Sequence, residues 1–560
     1  MANIYDKVPV KVQKKSTFDK SHKNLFSSKV GTITPVMCDE LIPNSTVNLK
    51  IAMTTQLPPL ASDTFMNVKQ KYAAFFVPTR ILVKGYEQWL CEQGRATVGG
   101  TDSDSRVTLP TYSFDIETQD LEQLKPGTLA DYLGFKITSY DGSGLSDVSE
   151  FKLSALPFLA YHHIWNEWFR NSLVQKDIFN NAGGTVYSVA NSKNITPYGI
   201  DYSFKAGSSI VGAVCSDMFV DGKHLYDLRQ ANFGSDIYTS CTPSPQNGNG
   251  QSVSFTVTND KGNFTISALR AANAMQQFLE RNNLAGNRLV DYVKAQYGAN
   301  LNDAIAQRPI LLGSGSFDVY SKGIYQTNSN FLEGSSVQTQ NPFGATATKF
   351  GSAYVDGNDF IIKGFTAQEP GYLMVVTWLS PKASYSTGVA PILNRYLTVS
   401  SQSDMANPIL QGVGDEPIKV SQLSGRQALL KDSAGHTDAV FGYNQRYANW
   451  KDMQDEVHGI LRDGSSLQSF CLQKTFGIGS STGVETQAEL SSDFLEIPTT
   501  YLNQVSAVAD DISSYGYWTD CYLDYKVSMP LARYSIPTLE DVGSEHGSDI
   551  VIDKGGKTIA

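Results

Sequence analysis

CYLDYKVSM, residues 521–529, alternates without a fault. Cys521, Leu523, Tyr525, Val527 and Met529 fall on one side, and Tyr522, Asp524 and Lys526 on the other. A period of two is the mark of a strand with one face in a core and one facing out. The same period recurs in TVNLKIAM (46–53), where Val47, Leu49, Ile51 and Met53 share a side, and in SVSFTVT (252–258), which aligns Val253, Phe255 and Val257. KYAAFFVP (71–78) is a continuous apolar and aromatic run, as expected of a strand buried on both faces. DFIIKGF (359–365) and GYLMVVTWL (371–379) read as a hairpin closed by TAQEP. Helical patterns are few. One starts at Ser267 as N-cap, with Leu269, Ala272, Met275 and Leu279 on a stripe, and a second follows Gly286. YHHIWNEWFR (161–170) is a short third.

The rest of the chain fits a mainly β protein with long connections. It has 560 residues, 46 of them Gly, with 28 Tyr, 27 Phe and only 18% charged residues. That is below the ~25% charge of ordinary soluble domains and suits a surface largely covered by other protein. Four polar, turn-rich stretches stand out as loops: 97–127, 176–222, 242–263 and 326–352. No linker divides the chain, so one β domain with large insertions is expected. The longest apolar run, YLMVVTWL (372–379), is far short of the ~20 residues of a membrane helix. No signal-peptide pattern opens the sequence. Six cysteines without CxxC spacing read as separate reduced thiols.

Catalytic patterns do not stand out. His163 and Glu167 are four apart and would share a helix face, half of a metal site or an acid/base pair. The competing reading is an aromatic packing segment with histidines inside it. There is no HExxH and no GxSxG, and the glycine groups GSGSF (313–317) and GIGSSTG (477–483) lack a strand–GxGxxG–helix context and read as turns. No catalytic, cofactor or metal residues are assigned.

Charge is unevenly spread. Residues 1–30 carry seven lysines against two aspartates, a net +5 on a chain of −10 overall, which leaves −15 for the remainder. An acidic body argues against a dedicated nucleic-acid binder. The basic arm can still reach phosphates through Lys7, Lys11, Lys14, Lys15, Lys20 and Lys23.

Seven segments in collinear order resemble the major capsid proteins of the Microviridae, on the gokushovirus-like side. They are SHKNLFSSKVGTITPVMCDELIPNSTVNL (21–49), FFVPTR (75–80), YHHIWNEWFR, YTSCTPSPQ (238–246), FTISALRAANAMQQFLER (264–281) with QRPILLGSG (307–315), FGYNQRYANW (441–450) and MPLARYSIP (529–537). The resemblance implies an eight-stranded viral jelly roll, a double-sheet β-sandwich with large loop insertions and a few short helices. On that reading residues 1–30 form an interior basic arm, 31–538 a single capsid domain, and 539–560 a polar tail. It further implies a homo-oligomeric T=1 shell of sixty copies around circular single-stranded DNA. A small basic packaging protein, a minor or pilot protein and a host receptor would be partners, with assembly in the bacterial cytoplasm and no enzymatic role. In this family the NEWFR aromatics define the segment, so the two histidines are expected to be structural. The interval after YTSCTPSPQ is short for a large threefold projection, while 176–222 is long; 176–222 and 242–263 are the candidate surface loops. A β-sandwich adhesin and a carbohydrate-active β-sandwich enzyme are the alternatives, the latter requiring a carboxylate pair in a cleft.

Overall fold

In the computed structural model the alternating stretch 521–529 lies inside a 13-residue strand, Tyr517–Met529. Every odd-numbered residue of that strand is buried. The structure describes residues 8–11, 15–60, 64–82, 86, 90, 109, 111–113, 125–136, 152–179, 188–189, 193–196, 199–200, 223–245, 266–285, 289–325, 348–355, 360–396, 405–412, 414–425, 439–476, 488–506, 516–532, 549–552 and 558–559.

Ten strands form the main sheet. In chain order they are β1 (Ser16–Asp19), β2 (His22–Ser28), β3 (Thr34–Leu41), β4 (Thr46–Leu60), β5 (Val68–Pro78), β6 (Ile310–Tyr325), β7 (Thr348–Val355), β8 (Phe360–Thr366), β9 (Gly371–Pro381) and β10 (Tyr517–Met529). They fill eight positions. β1 and β2 succeed one another along one edge of β10, and β8 and β7 do the same along β4. From β10 the order runs β4, β7, β6, β5, β9, β3, all antiparallel. β6 carries the sheet from one layer to the other: its first part pairs with β5 and its last residues with β7.

The two layers face each other across one core. Val47, Leu49, Ile51 and Met53 of β4 pair in register with Val527, Tyr525, Leu523 and Cys521 of β10. Opposite them stand Ala74 and Phe76 of β5, Leu373 and Val375 of β9, and Val36 and Leu41 from β3. Burying a side chain of this size contributes about 1.5–3 kcal/mol, so the alternation fixes which face turns inward. The chain is therefore a β-sandwich. The outer faces of β5 and β9 are covered as well. Phe75, Val77, Met374 and Val376 join a second core with helix α1 (Leu156–Ile164) and the connections around 225–241 and 494–505. This is why KYAAFFVP has no polar side.

Gln70, Thr55, Thr377 and Thr519 close one end of the sandwich interior, all buried. Thr55 Oγ1 lies 2.9 Å from Thr519 Oγ1 and donates to Gln70 Oε1; Gln70 Nε2 donates to Thr377 Oγ1 at 3.1 Å, and Thr377 donates to the Lys71 carbonyl at 2.9 Å. Since Thr55 gives its proton to Gln70, Thr519 must donate to Thr55. One hydrogen-bonded chain thus links four strands and both layers.

Three expectations are corrected. β8 and β9 do not form a hairpin: β8 lies on β4, and β9 between β5 and β3. Their short link is tied to opposite layers, Ala367 to the turn before β4 and Pro370 to Thr79 after β5. GSGSF is not a turn but part of β6, where its glycines admit close neighbours. A Cβ at Gly313 would sit 2.1 Å from the Ile361 carbonyl oxygen, and one at Gly315 2.3 Å from the Tyr72 hydroxyl. The loop expected over 326–352 ends early, because 348–352 is already β7.

Helices α2 (Ile266–Ala285) and α3 (Leu289–Tyr297) match the two helical patterns, except that α2 begins at Ile266, so Ser267 lies inside its first turn and is not its N-cap. Within the basic stretch 1–30, residues 16–28 form sheet edge along β10. Val8–Lys11 pairs with Asp549–Ile552, which pairs with Thr558–Ile559, so strands also occur within the expected polar tail. SVSFTVT, GIGSSTG and most of 97–127, 176–222 and 242–263 lie outside the described residues. The four described cysteines, Cys38, Cys241, Cys471 and Cys521, are free thiols.

Candidate functional site

α1 opens with Leu156–Pro157 and runs to Ile164, then widens into a π-helical turn, Trp165–Phe169. The Arg170 amide donates to the Trp165 carbonyl at 3.0 Å, a bond five residues back instead of four. His163 lies at the end of the α-turns and Glu167 in the π-turn, so their four-residue spacing no longer stacks them as in a regular helix.

His162 is fully buried. Its Nε2 is 2.9 Å from the Leu225 carbonyl oxygen and its Nδ1 is 3.1 Å from Arg229 Nε. A carbonyl only accepts and a guanidinium only donates, so the ring carries its proton on Nε2 and its lone pair points at Arg229. Burial, then the Arg229 charge, holds its pKa well below the usual histidine value. No lone pair remains for a metal. His163 packs edge-on against Phe179, ring centres 5.4 Å apart, and neither ring nitrogen has a hydrogen-bond partner among the described residues. Burial lowers its pKa too, against opposing pulls from Glu167 and Asp177.

Each aromatic of the segment is tied to a different part of the chain. Tyr161 Oη donates to the Ile33 carbonyl at 2.6 Å and accepts from the Arg229 amide at 2.8 Å. Trp165 Nε1 donates to the Gln230 carbonyl at 2.8 Å, and Trp168 Nε1 to the Pro309 carbonyl at 2.9 Å. The Arg229 guanidinium stacks 4.9 Å from the Trp165 ring, and that of Arg308 4.4 Å from Trp168. A buried arginine between an indole and a neutral imidazole is held by position, since removing either partner leaves a charge in a dry site. No cluster of three or more His, Cys, Asp or Glu suited to a metal occurs among the described residues.

A second buried cation lies nearby in the same core. Lys474 is 7% exposed; its Nζ donates to the Phe494 carbonyl and stands 3.4 Å from the Phe494 ring and 4.5 Å from that of Phe233. Burial pushes its pKa down to about 7, against a smaller opposing pull from Asp236. Asp236 in turn accepts from the Tyr385 hydroxyl at 2.7 Å. Neither Arg229 nor Lys474 carries a sequence signal: each is one basic residue in a mixed stretch.

The six lysines separate. Lys7 and Lys14 lie outside the described residues, and Lys11 ends the strand paired with Asp549–Ile552. Lys15 is exposed, with Nζ 3.3 Å from Thr46 Oγ1. Lys20 pairs with Asp39 at 2.8 Å and Lys23 with Asp520 at 2.6 Å. Both pairs are partly exposed and tie the edge strands to the sandwich, so part of the arm's charge is spent inside the chain. An open cleft of about 640 Å³ runs along β2, between Asn24–Lys29 and the turn carrying Asp131, Tyr132 and Lys136.

These arrangements bind the chain to itself: a two-layered β wall, braced by a helix whose polar tips are nearly all spent on neighbouring backbone. That defines a structural protein. The chain belongs to the capsid protein (F protein) family, whose model matches residues 6–264 and 254–539. It is similar to the capsid protein VP1 of Chlamydia phage 1, at 24% identity over 97% of this chain and 98% of that relative. The VP1 capsid protein of Bdellovibrio phage phiMH2K is 23% identical over 93% and 95%, and that of Spiroplasma virus 4 is 22% identical over 79% and 81%. The Microviridae resemblance read from seven short segments thus extends over the whole chain. The protein is a structural major capsid protein, a component of a multi-copy virion shell.

Proposed function

We propose that sixty copies of this chain close into a T=1 icosahedral shell around circular single-stranded DNA. The match to a capsid family along nearly the full length, on a β-sandwich whose strands fill eight positions as in a viral jelly roll, carries this reading. Point-group closure turns one set of copy–copy contacts into a finite object; sixty copies of a 61.2 kDa chain come to roughly 3.7 MDa. Native mass spectrometry and electron microscopy of purified particles test it. Uniform closed shells of that protein mass support it, and monomers or trimers alone overturn it in favour of an adhesin.

On this reading the chain carries out no enzymatic step and is assembled in the bacterial cytoplasm. The loops 176–222 and 242–263 face outward, and the basic stretch 1–30 faces inward. Lys7, Lys11, Lys14 and Lys15 then meet DNA phosphates, with Lys20 and Lys23 contributing what their carboxylate partners leave. Sixty arms of +5 supply only about 300 positive charges, against one negative charge per nucleotide. Small cations or a separate basic packaging protein must neutralise the rest of a genome of several thousand nucleotides. A minor or pilot protein completes the virion.

A further inference from the structure

The segment between β9 and β10 builds a surface that a lone soluble chain has no reason to carry. Ile392 is 72% exposed, Leu393 68%, Tyr396 56%, Trp450 46%, Met453 93% and Ile460 61%. Isolated exposed apolar residues are ordinary; a cluster of them is not. These are brought together by observed contacts. The Arg395 guanidinium lies 4.1 Å over the Trp450 ring, and Ala390 and Pro391 line the same small cavity as Gln454, Val457 and His458. Summed over the six residues, the exposed surface is roughly 800 Å², the order of what each partner buries in a standard interface.

The ridge is held in shape before anything docks on it. Pro391–Asn394 forms a 3-10 turn and Ala448–Lys451 a helical one. The Tyr447 amide donates to Glu416 at 2.8 Å, the Tyr385 amide to the Asp455 carbonyl at 2.9 Å, and Arg462 Nε to the Ser386 carbonyl at 2.9 Å. A surface already ordered loses little entropy on association. The charges around it are of both signs, Arg395 and Lys451 against Asp452 and Asp455. Mixed charge is the rim of a protein interface; it does not suit a phosphate backbone or an anionic bilayer.

We propose that this ridge, centred on Ile392, Leu393, Trp450 and Met453, docks on a second copy of the chain as one of the contacts of the shell. The inference rests on the shell reading above.

Ile392→Lys and Met453→Glu test it, because both side chains already face water and their replacement leaves the sandwich core intact. The full-length double variant should fold with wild-type circular dichroism and denaturant midpoint, and its assembled fraction in sedimentation should fall at least tenfold. Leu25→Lys, 69% exposed on β2 and remote in sequence from the ridge, should assemble as wild type. A second measurement does not depend on disruption. Met453→Cys, alkylated by a maleimide and read by peptide mass spectrometry, should react at least tenfold more slowly in shells than in free subunits. Normal assembly of the charged double variant, or equal alkylation in shells and subunits, overturns the ridge contact while leaving the shell intact. Failure of the wild-type chain to assemble at all overturns the shell reading itself.

Discussion

Gln70→Leu tests whether the polar link across the sandwich holds its two layers together. The side chain is fully buried; its carbonyl accepts from Thr55 and its amide donates to Thr377. Leucine of similar size fills the space but strands the Thr55 proton and leaves the Thr377 oxygen without its donor. Each orphaned buried group costs about 1–3 kcal/mol, so the single variant should lose roughly 2–5 kcal/mol. Replacing all four members together, as Thr55→Val, Gln70→Leu, Thr377→Val and Thr519→Val, removes every orphan except the Lys71 carbonyl, and should be far milder than the single change. Thermal midpoints are a poor readout here. At about 2.1 cal/mol/K per residue, a chain of this size moves by only about 1 °C per kcal/mol. Urea titration of the unassembled full-length chain, followed by tryptophan fluorescence, is the better assay. Trp518, beside Thr519 on β10 and hydrogen-bonded to Gln56, reports from next to the site. A single variant within about 0.5 kcal/mol of wild type, or a quadruple variant worse than the single, would refute the reasoning.

Lys474 should make stability rise with pH. Its folded pKa is lowered to about 7 from 10.5, so between these values the unfolded chain holds a proton that the folded chain has released. Below pH 7 both forms are charged and the fold bears the burial cost, on the order of 5 kcal/mol at about 1.4 kcal/mol per pKa unit. Lys474→Met should therefore flatten the rise in urea midpoint between pH 7 and 9.5, and an unchanged slope would count against it. His163, lowered from 6.5 by burial, acts the same way at lower pH: stability is lost as pH falls below about 6.5. His163→Leu should be neutral or stabilising and should lessen that loss, since neither ring nitrogen has a described partner; particle assembly by electron microscopy should be unaffected by this change. Replacing Lys7, Lys11, Lys14, Lys15, Lys20 and Lys23 by glutamine should lower DNA retention in a salt-dependent way while empty shells still form. Normal packaging at every salt concentration would leave these lysines only a tying role.

The sandwich core was legible because its code is local. Period two in β4 and β10, and its absence in β5, state which faces are buried without any knowledge of partners. Partnership itself was not legible. DFIIKGF and GYLMVVTWL look like a hairpin because a short polar link joins two strands, and only the ties of Ala367 and Pro370 to opposite layers show otherwise. The edge strands at 16–28 leave little trace in the sequence because their burial is shallow and lysines mask the alternation. Thr55, Gln70, Thr377 and Thr519 carry no signal in the sequence, since one polar residue at an inward position means nothing until three others meet it. The histidine pair was ambiguous for the opposite reason. On paper His163 and Glu167 suit chemistry and packing equally well, and only the π-turn and the Phe179 ring, outside the segment, show that His163 is packed.

β10, the last strand of the sheet, occupies an inner position between β4 and the paired edges β1 and β2. Its partners precede it by more than 450 residues in the chain. At about 5–20 residues per second the ribosome needs roughly half a minute to two minutes for the whole chain, and for most of that time β4 has no neighbour on that side. A chain that stops short therefore lacks the middle of a layer, along with the docking place for its own first strands. Folding of that layer waits on β10, the single strand that joins β4 to β1 and β2.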